Sequence, residues 1–335
     1  VIRVKRRPFG SQDHFPVRFP HVFLSRGVRD RYFAQKCLVS LERFEIIVRD
    51  HLIEQLVRHL GGRFDKAADL LERHPQAPDT GKEVDKPEAF APWLSSHDPN
   101  ALNLAQRLVA EGADILDIGG ESTRPGAQGV DADDEWARVA DVLKELMNWN
   151  VPLSIDTMKA NVMARAVHLG VDILNDVNGF RDAGAEAVLA QSNAGAVVMH
   201  MQGEPRTMQK SPQYTNVVSE VEGFLNQRMV ALEQTGVQSS RVLVDPGFGF
   251  GKTLQHNIDL LKATPLFSTL GAGVLVGVSR KRMIAELTGQ ADPGLRTAGS
   301  VAAATYAAQH GAAVLRVHDV RETVEALKVA FALNQ

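Results

Sequence analysis

The feature that most constrains this chain is a repeated pattern in which a short apolar run ends in acidic, basic, hydroxyl or glycine residues. The clearest case is 242–252, VLVDPGFGFGK, where the run ends at an acid, a proline and three glycines before a lysine. Four more runs end in this way, at 115–125, 153–157, 275–281 and 315–320. Polar groups at the carboxyl ends of successive buried strands are typical of the active site of a (β/α)8 barrel.

From residue 101 onward, helical and strand-like patterns alternate. Seven short apolar runs are predicted strands, because nearly continuous apolar residues are typical of parallel strands buried on both faces. They are Asp114–Ile118, Leu153–Ile155, Ile173–Asn175, Ala196–Met201, Arg241–Val244, Gly273–Val278 and Val314–Val317. We therefore predict an α/β fold of the (β/α)8 TIM-barrel type. An open doubly wound sheet is less favoured, because it would concentrate its polar residues at one switch point.

The amino-terminal part of the chain differs in character. Residues 1–63 hold 13 Lys and Arg against 6 Asp and Glu, and residues 74–100 carry five prolines among charged and small residues. We predict a basic extension at 1–73, a proline-rich linker at 74–100 and a barrel domain at 101–335. A solvated extension is the favoured interpretation of the basic residues, and contact with RNA is the alternative.

Bulk composition argues against several classes of protein. With 44% hydrophobic residues, 23% charged residues and a formal net charge of -3, neither nucleic acid nor a membrane is expected as a partner. No apolar run reaches the roughly 20 residues of a membrane helix, and no signal-peptide core is recognised. The single cysteine, Cys37, cannot form an intrachain disulfide. We therefore expect a protein of a reducing compartment, the cytoplasm.

The polar residues that follow the predicted strands fall into two chemical groups. Oxygen acceptors for the N–H groups of a nitrogen-rich ring are offered by Asp156, Asn175 and Asp245. Cationic and donor groups that suit phosphate or carboxylate are Arg124, Lys281, Arg316 and His318. Hydroxyl and glycine residues that allow close approach of an oxyanion include Thr123, Gly249 and Ser279. The predicted substrate is a phosphorylated heterocycle.

Seven motifs, in one order along the chain, resemble the dihydropteroate synthase family. They are DIGGESTRPG (117–126), SIDT (154–157), ILNDV (173–177), MHMQGEPRTMQ (199–209), VDPGFGFGK (244–252), GVSRK (277–281) and RVHDV (316–320). The resemblance covers about residues 101–335. It implies a transferase of folate biosynthesis that condenses 6-hydroxymethyl-7,8-dihydropterin pyrophosphate with p-aminobenzoate to dihydropteroate and pyrophosphate, the step that sulfonamides block.

The resemblance also implies roles for individual residues. Those that would contact the pterin ring are Asp156, Asn175, Met199, Asp245 and Lys281. Those that would hold the pyrophosphate are Arg316 and His318, with Thr123 and Arg124 on a loop that closes over it. Those of the p-aminobenzoate pocket are Phe250, Ser279 and Lys281. The implied catalytic residues are Asp156, Asp245, Lys281, Arg316 and His318. A Mg²⁺ ion bridging the pyrophosphate and a homodimer are implied as well.

Several of these residues also have purely structural interpretations. Asp156 and Asp245 could cap the loops after their strands, and Asn175 could satisfy a turn. A methionine on a buried strand is usually core, so Met199 is ambiguous. His200 is interpreted as a packed core histidine.

For Arg316 and His318, the spacing of two residues on a strand places both side chains on one face, which suits an anion. An ion pair of these residues with Asp319 or Glu322 is the structural alternative.

The chain departs from the family at the first barrel strand. That strand normally runs into a loop close to N-x-T-P-D-S-F-S-D-G-G, and residues 1–112 contain no such segment, so no metal ligand is assigned. The nearest candidate strand, His21–Arg26, lies far before the next helix. We predict a missing or atypical first strand with unpaired strand edges beside it.

Three origins of this departure stay open. The amino-terminal half could reflect a wrong start or shifted reading frame, it could be a genuine extension that supplies another strand, or the chain could be a truncated pseudoenzyme. The functional alternatives are a catalytically impaired pterin-binding remnant and a pterin-binding methyltransferase domain.

Overall fold

The computed structural model describes residues 99–123, 127–205 and 207–333, and all structural statements refer to these residues. The predicted extension, the linker up to residue 98, the candidate strand His21–Arg26 and Arg124 lie outside them.

Seven strands, each followed by a helix, make up the described part of the chain. The strands are β1 (Leu116–Gly119), β2 (Leu153–Asp156), β3 (Ile173–Asp176), β4 (Gly195–Met199), β5 (Val242–Asp245), β6 (Val274–Val276) and β7 (Ala312–Leu315). All seven predicted strands are confirmed, with their ends displaced by no more than two residues. The predicted α/β class is therefore confirmed.

Ten α-helices accompany these strands in the described residues. They are α1 (Pro99–Ala110), α2 (Ala132–Leu146), α3 (Ala160–Leu169), α4 (Ala185–Ala190), α5 (Val217–Gln234), α6 (Leu254–Lys262), α7 (Thr264–Phe267), α8 (Arg282–Thr288), α9 (Thr297–Gln309) and α10 (Val320–Ala332). None of the helices in this part of the chain is long and apolar enough to cross a membrane.

Local sequence signals set the helix ends. The carboxylate of Asp131 accepts a hydrogen bond from the Asp134 N–H at 2.8 Å, which caps α2 and adds negative charge at its amino end. Helix α3 ends at Gly170, whose φ of 101° is left-handed and is easily adopted only by glycine. Thr253 and His256 form a reciprocal capping box at the start of α6.

The strands pair in chain order from β1 to β7, and every pair is parallel. The register places Gly119 opposite Asp156, Asp156 opposite Asn175, and Met199 opposite Asp245. Because parallel strands run in one direction, their carboxyl ends meet at one edge of the sheet. The predicted polar residues at the ends of β2, β3 and β5 are brought together at that edge.

The sheet is curled and buried on both faces. On its outer face the helices cover side chains such as Ile155 and Val244, which have no exposed surface. On the inner face a separate apolar cluster contains Ile173, Val197 and Leu243. One cavity of about 350 Å³ is lined by residues from all seven strands, which requires the sheet to wrap around it.

The sheet is not closed within the described residues. Strands β1 and β7 each pair on one side only, and they are not hydrogen-bonded to each other. The cavity continues between them and is lined there by Leu104 and Leu108 of α1 and by Val324 and Leu327 of α10. We call this gap, bounded by β1, β7, α1 and α10, the β1–β7 seam. The unpaired edges expected from the missing first strand are therefore found in this part of the protein.

Candidate active site

The carboxyl edge of the sheet brings many of the predicted site residues into one place. Those that line the cavity are Asn175, Ser279, Lys281, Arg316 and His318. Asp156 joins this group through its hydrogen bond with Arg316. Asp245 is close enough to Lys281 for the lysine charge to shift its pKa.

Acids at the ends of β1 and β2 hold the guanidinium of Arg316. Its Nε donates to Asp117 Oδ2 at 2.6 Å, and its Nη2 donates to Asp156 Oδ2 at 3.0 Å. Asn175 Nδ2 donates to the same Asp117 oxygen at 3.2 Å. Because Arg316 follows β7 and Asp117 lies on β1, their ion pair bridges the β1–β7 seam at its carboxyl end.

Asp156 is an acceptor with spare capacity. Its side chain is 12% exposed, and its Oδ1 atom is buried without a hydrogen-bond partner among the described residues. Burial raises the pKa of Asp156 to about 7; Arg316 opposes this shift, whereas Asp117 adds to it. A buried oxygen without a hydrogen-bond partner carries an unfavourable desolvation free energy. A ligand N–H group that donates to it would remove this cost.

Asp117 is a site residue that the sequence analysis did not single out, although it opens the DIGGESTRPG motif. The signal was present, because Asp117 lies between the buried residues Leu116 and Ile118 and therefore points to the opposite face of β1. Asp117 and Asp156 hold the pKa of the Arg316 guanidinium above its usual range, with Asp117 as the largest cause. Arg316 is therefore a permanent cation.

Asp245 and Lys281 form a second charged group at this edge, after β5 and β6. The Asp245 Oδ1 accepts from the Gly247 N–H at 2.7 Å, so the loop-capping role considered from the sequence is observed. Burial raises the pKa of Asp245, and Lys281 opposes that shift. Burial lowers the pKa of Lys281 to about 8. Its Nζ donates to the Phe248 carbonyl at 2.6 Å and lies 4.9 Å from the Phe250 ring centroid.

His318 is tied to Ser279. The Ser279 Oγ lies 3.1 Å from His318 Nδ1 and accepts from the His318 backbone N–H at 3.2 Å. Asp319 accepts from Arg280 Nε at 3.1 Å. The structural alternative for Arg316, an ion pair with Asp319 or Glu322, is therefore wrong, because its carboxylate partners are Asp117 and Asp156.

Met199 and His200 are both buried at the end of β4. Met199 packs in a cluster with Met201 and Met208, and Phe250 rests against this cluster. His200 packs edge to face on Phe224, with ring centroids 5.0 Å apart. His200 is therefore a packed histidine, as the sequence indicated.

The loop after β1 carries Thr123, whereas Arg124 lies outside the described residues. Glu121 joins the two ends of this loop, because its Oε1 accepts from the Val130 N–H at 3.0 Å. Lys159 Nζ forms an ion pair with the other Glu121 oxygen. These anchors were not foreseen from the sequence, since their partners come from separate elements.

The described side chains do not form a cluster that would hold a metal ion by themselves. In residues 99–123, 127–205 and 207–333, no three His, Cys, Asp or Glu side chains are grouped so as to hold one. The oxygens of Asp117 and Asp156 nearest the cationic group are already engaged by Arg316.

Comparisons with known proteins agree with this geometry. The family described as "Pterin binding enzyme" matches residues 93–318. Dihydropteroate synthase of Neisseria meningitidis serogroup C is 50% identical over 253 residues, covering 74% of this chain and 89% of that protein.

Two solved structures are also similar. Xanthomonas albilineans dihydropteroate synthase with 4-aminobenzoic acid has a TM-score of 0.67 and 48% identity, covering 70% of this chain and 84% of that one. The Burkholderia cenocepacia enzyme complexed with 7,8-dihydropteroate has a TM-score of 0.67 and 49% identity, covering 70% and 86%. The methyltransferase alternative receives no support from these relatives. This chain belongs to the dihydropteroate synthase family of pterin-binding enzymes.

Proposed function

We propose that this chain condenses 6-hydroxymethyl-7,8-dihydropterin pyrophosphate with p-aminobenzoate, forming dihydropteroate and pyrophosphate in folate biosynthesis. The observation that carries the proposal is the pairing of buried acceptors, Asp156 and Asp245, with cations, Arg316 and Lys281, at one edge of the sheet in a chain of this family. Relatives bound to 4-aminobenzoic acid and to 7,8-dihydropteroate support the choice of ligands.

The pterin ring would lie among the acceptors. The partnerless Oδ1 of Asp156 and the carboxylate of Asp245 would accept from its N–H edge, and Asn175 would add an amide. Burial of these groups strengthens each hydrogen bond and restricts the orientation of the ring. The reactive methylene carbon would then point along the carboxyl edge toward the cations.

The pyrophosphate would lie at the cationic end. Arg316 and His318 would bind it, and the guanidinium would exchange its contacts to Asp117 and Asp156 for phosphate oxygens. The bond from the methylene carbon to the pyrophosphate oxygen breaks, and its electron pair leaves on the oxygen. Fixed positive charge stabilises the leaving group as this negative charge develops. Thr123 and Arg124 would contribute from the loop after β1.

The amine of p-aminobenzoate would form the new carbon–nitrogen bond and lose one proton. Phe250 offers an apolar wall for its ring, and Lys281 with Ser279 offers donors for its carboxylate. Because the acceptor, cationic and aromatic groups are separate, each would bind a different part of the two substrates and so orient them toward one another.

Mg²⁺ is part of the proposal as a companion of the substrate. Pyrophosphate oxygens bind Mg²⁺ while the ion retains several waters, so the ion would arrive with the pyrophosphate rather than reside on side chains. A homodimer, a cytoplasmic location and inhibition by sulfonamides are proposed on family membership.

The test is pyrophosphate release by the purified full chain, given both substrates and Mg²⁺, with Asp245→Ala as a disabled variant. Release that requires p-aminobenzoate and is lost in the variant is the expected result. Pterin binding by the folded chain without any release would overturn the proposal and identify an impaired pterin-binding remnant.

A further inference from the structure

The loop after β5, residues 246–251, is held by side chains from several elements, and we call it the glycine loop. Its outside contacts are Asn257 Oδ1 to the Gly249 N–H at 2.7 Å, Tyr214 Oη to the Gly251 carbonyl at 3.0 Å, Lys281 Nζ to the Phe248 carbonyl at 2.6 Å, and Gln209 Nε2 to the Gly249 carbonyl. Such a loop has few alternative conformations.

Lys252 follows this loop and lies beneath it. It is 4% exposed, although lysine is rarely buried to this extent. Its Nζ lies 3.0 Å from the Phe250 carbonyl, 3.0 Å from His200 Nδ1 and 3.4 Å from the His200 carbonyl. In its ammonium form Lys252 has three N–H donors. The three acceptors around it are two backbone carbonyls and an imidazole nitrogen.

The charges of this pair support a fixed hydrogen-bond arrangement. Burial, together with the nearby charge of Lys252, lowers the pKa of His200 to about 3, so the imidazole is neutral at physiological pH. Its Nδ1 then accepts from Lys252, and the ring proton is on Nε2. Burial lowers the pKa of Lys252 to about 7, and Asp245 opposes that shift.

The glycine loop is pressed onto the end of β4, where Lys252 makes its contacts. A Cβ atom on Gly247 would lie 1.9 Å from the His200 carbonyl oxygen, and one on Gly251 would lie 2.7 Å from the Gln202 carbonyl oxygen. The loop and the end of β4 are therefore in close van der Waals contact. Lys252 connects the β4 end to the Phe250 peptide group across this contact.

We propose that Lys252 is a positioning residue that holds Phe250 at the p-aminobenzoate subsite. The proposal rests on the proposed function. Phe250 lies between the Lys281 ammonium and the methionine cluster, and its carbonyl accepts a hydrogen bond from Lys252 Nζ. A shift of that peptide would move the aromatic wall while leaving Asp156 and Asn175, which lie on β2 and β3, in place.

The kinetic test uses Lys252→Met, which keeps most of the side-chain volume and removes the donors. We expect its KM for p-aminobenzoate to rise about tenfold or more, with the KM for the pterin pyrophosphate within about threefold of the parent. Lys262→Met, at an exposed lysine of α6, is the matched control and should change neither value. Equal effects on both KM values, or none, would overturn the proposal, because a merely structural role does not favour one substrate.

A second measurement needs no substrate. Amide hydrogen exchange of a peptide spanning 246–251 should be faster in Lys252→Met than in Lys262→Met, and equal rates would contradict the positioning role. If the parent chain shows no turnover, only the proposed function is contradicted. The hydrogen-exchange comparison still tests whether Lys252 positions the loop.

If Lys252→Met does not fold, His200→Phe takes its place. It removes the Nδ1 acceptor and keeps an aromatic ring against Phe224. The same selective rise in the KM for p-aminobenzoate and faster exchange of the loop are expected. Unchanged values in this folded variant would overturn the proposal.

Discussion

The glycine loop and the β1–β7 seam are built in opposite ways, although they belong to the same curled sheet. In the glycine loop, backbone groups are held by side chains from β5, from the segment after β6 and from α6. At the seam, two strand edges face a cavity, and the Arg316–Asp117 ion pair spans the gap. The proposed p-aminobenzoate subsite thus rests on dense packing, and the proposed pyrophosphate subsite rests on side-chain electrostatics.

This difference shows that one active site can combine two kinds of support. Backbone groups bonded on all sides keep their geometry whether or not a ligand is present. An ion pair at a gap can exchange one partner for another when an anion arrives, because its side chains are not locked by surrounding packing. Substitutions in the two regions should therefore differ in what they change: stability and the KM for p-aminobenzoate at the glycine loop, and mainly binding of the pyrophosphate substrate at the seam.

The largest expected effect is on anion binding at the seam. Arg316→Ala should weaken binding of the dihydropterin pyrophosphate by about 100-fold, roughly 3 kcal/mol, because the main fixed cation is removed. Binding of the pterin without pyrophosphate should change by less than about fivefold. Calorimetry with both ligands measures the difference, and Arg282→Ala, at an exposed arginine of α8, is the control. Equal losses for the two ligands would remove the anion role of Arg316.

The glycine loop is tested by two glycines with nearly the same backbone. Gly247 has a φ of 73° and Gly289 a φ of 75°, but a Cβ would meet the His200 carbonyl oxygen at 1.9 Å in the first case and nothing within 4 Å in the second. Alanine at either site costs about 1–2 kcal/mol of backbone strain. We expect Gly247→Ala to lose about 2–3 kcal/mol more, from steric overlap.

Urea unfolding of the two alanine variants measures this difference. Similar free energies of unfolding for Gly247→Ala and Gly289→Ala would show that the loop can move away from the β4 end, and the contrast with the seam would be lost.

Packing at the seam can be compared with packing in the main core by means of two leucines. Leu225 on α5 has no exposed surface, and Leu327 on α10 is 2% exposed but borders the seam cavity. Leu225→Ala should cost about 1–2 kcal/mol more than Leu327→Ala, because a side chain beside empty space has fewer packing contacts to lose. Chemical denaturation of both variants provides the values. A larger loss for Leu327→Ala would mean that the seam is packed as densely as the rest.

The smallest expected effect concerns the charge of Asp156. Its pKa of about 7 lies above the ordinary 3.8, so the folded protein binds more protons than the unfolded chain between these values. Stability contributed by this residue is therefore present below that window and is lost as pH rises through it. Relative to the parent, Asp156→Asn should gain about 1–2 kcal/mol of unfolding free energy between pH 6 and pH 8.

Thermal or urea unfolding at the two pH values measures that gain. Asp141→Asn, at an exposed acid on α2, should show no such change. If the unfolding free energies of the parent and of Asp156→Asn change in parallel with pH, Asp156 titrates as an ordinary carboxyl group.

Much of the fold followed from local patterns. Strands such as Ile173–Asp176 and Val242–Asp245 were recognised because apolar residues on both faces leave a continuous apolar run. The grouping of Asp156, Asn175 and Asp245 was also predictable, because parallel strands bring their carboxyl ends to one edge.

Other contacts depended on distance in three dimensions. Arg316 and Asp117 are 199 positions apart, and Lys252 and His200 are 52 apart. No pattern within one segment indicates which acid would hold the arginine, so Asp319 was the natural but wrong candidate. The role of the metal ligand stayed open because the family's first loop is absent from the sequence.

The sequence by itself determined the strand order, the family and the chemical types of residue at the carboxyl edge, because these depend on short-range periodicity and on contiguous motifs. Only the tertiary structure decided which acid pairs with Arg316 and how the glycine loop is anchored. These features depend on side chains from distant segments meeting in a shared, desolvated space, where distance and burial set each charge and each hydrogen bond.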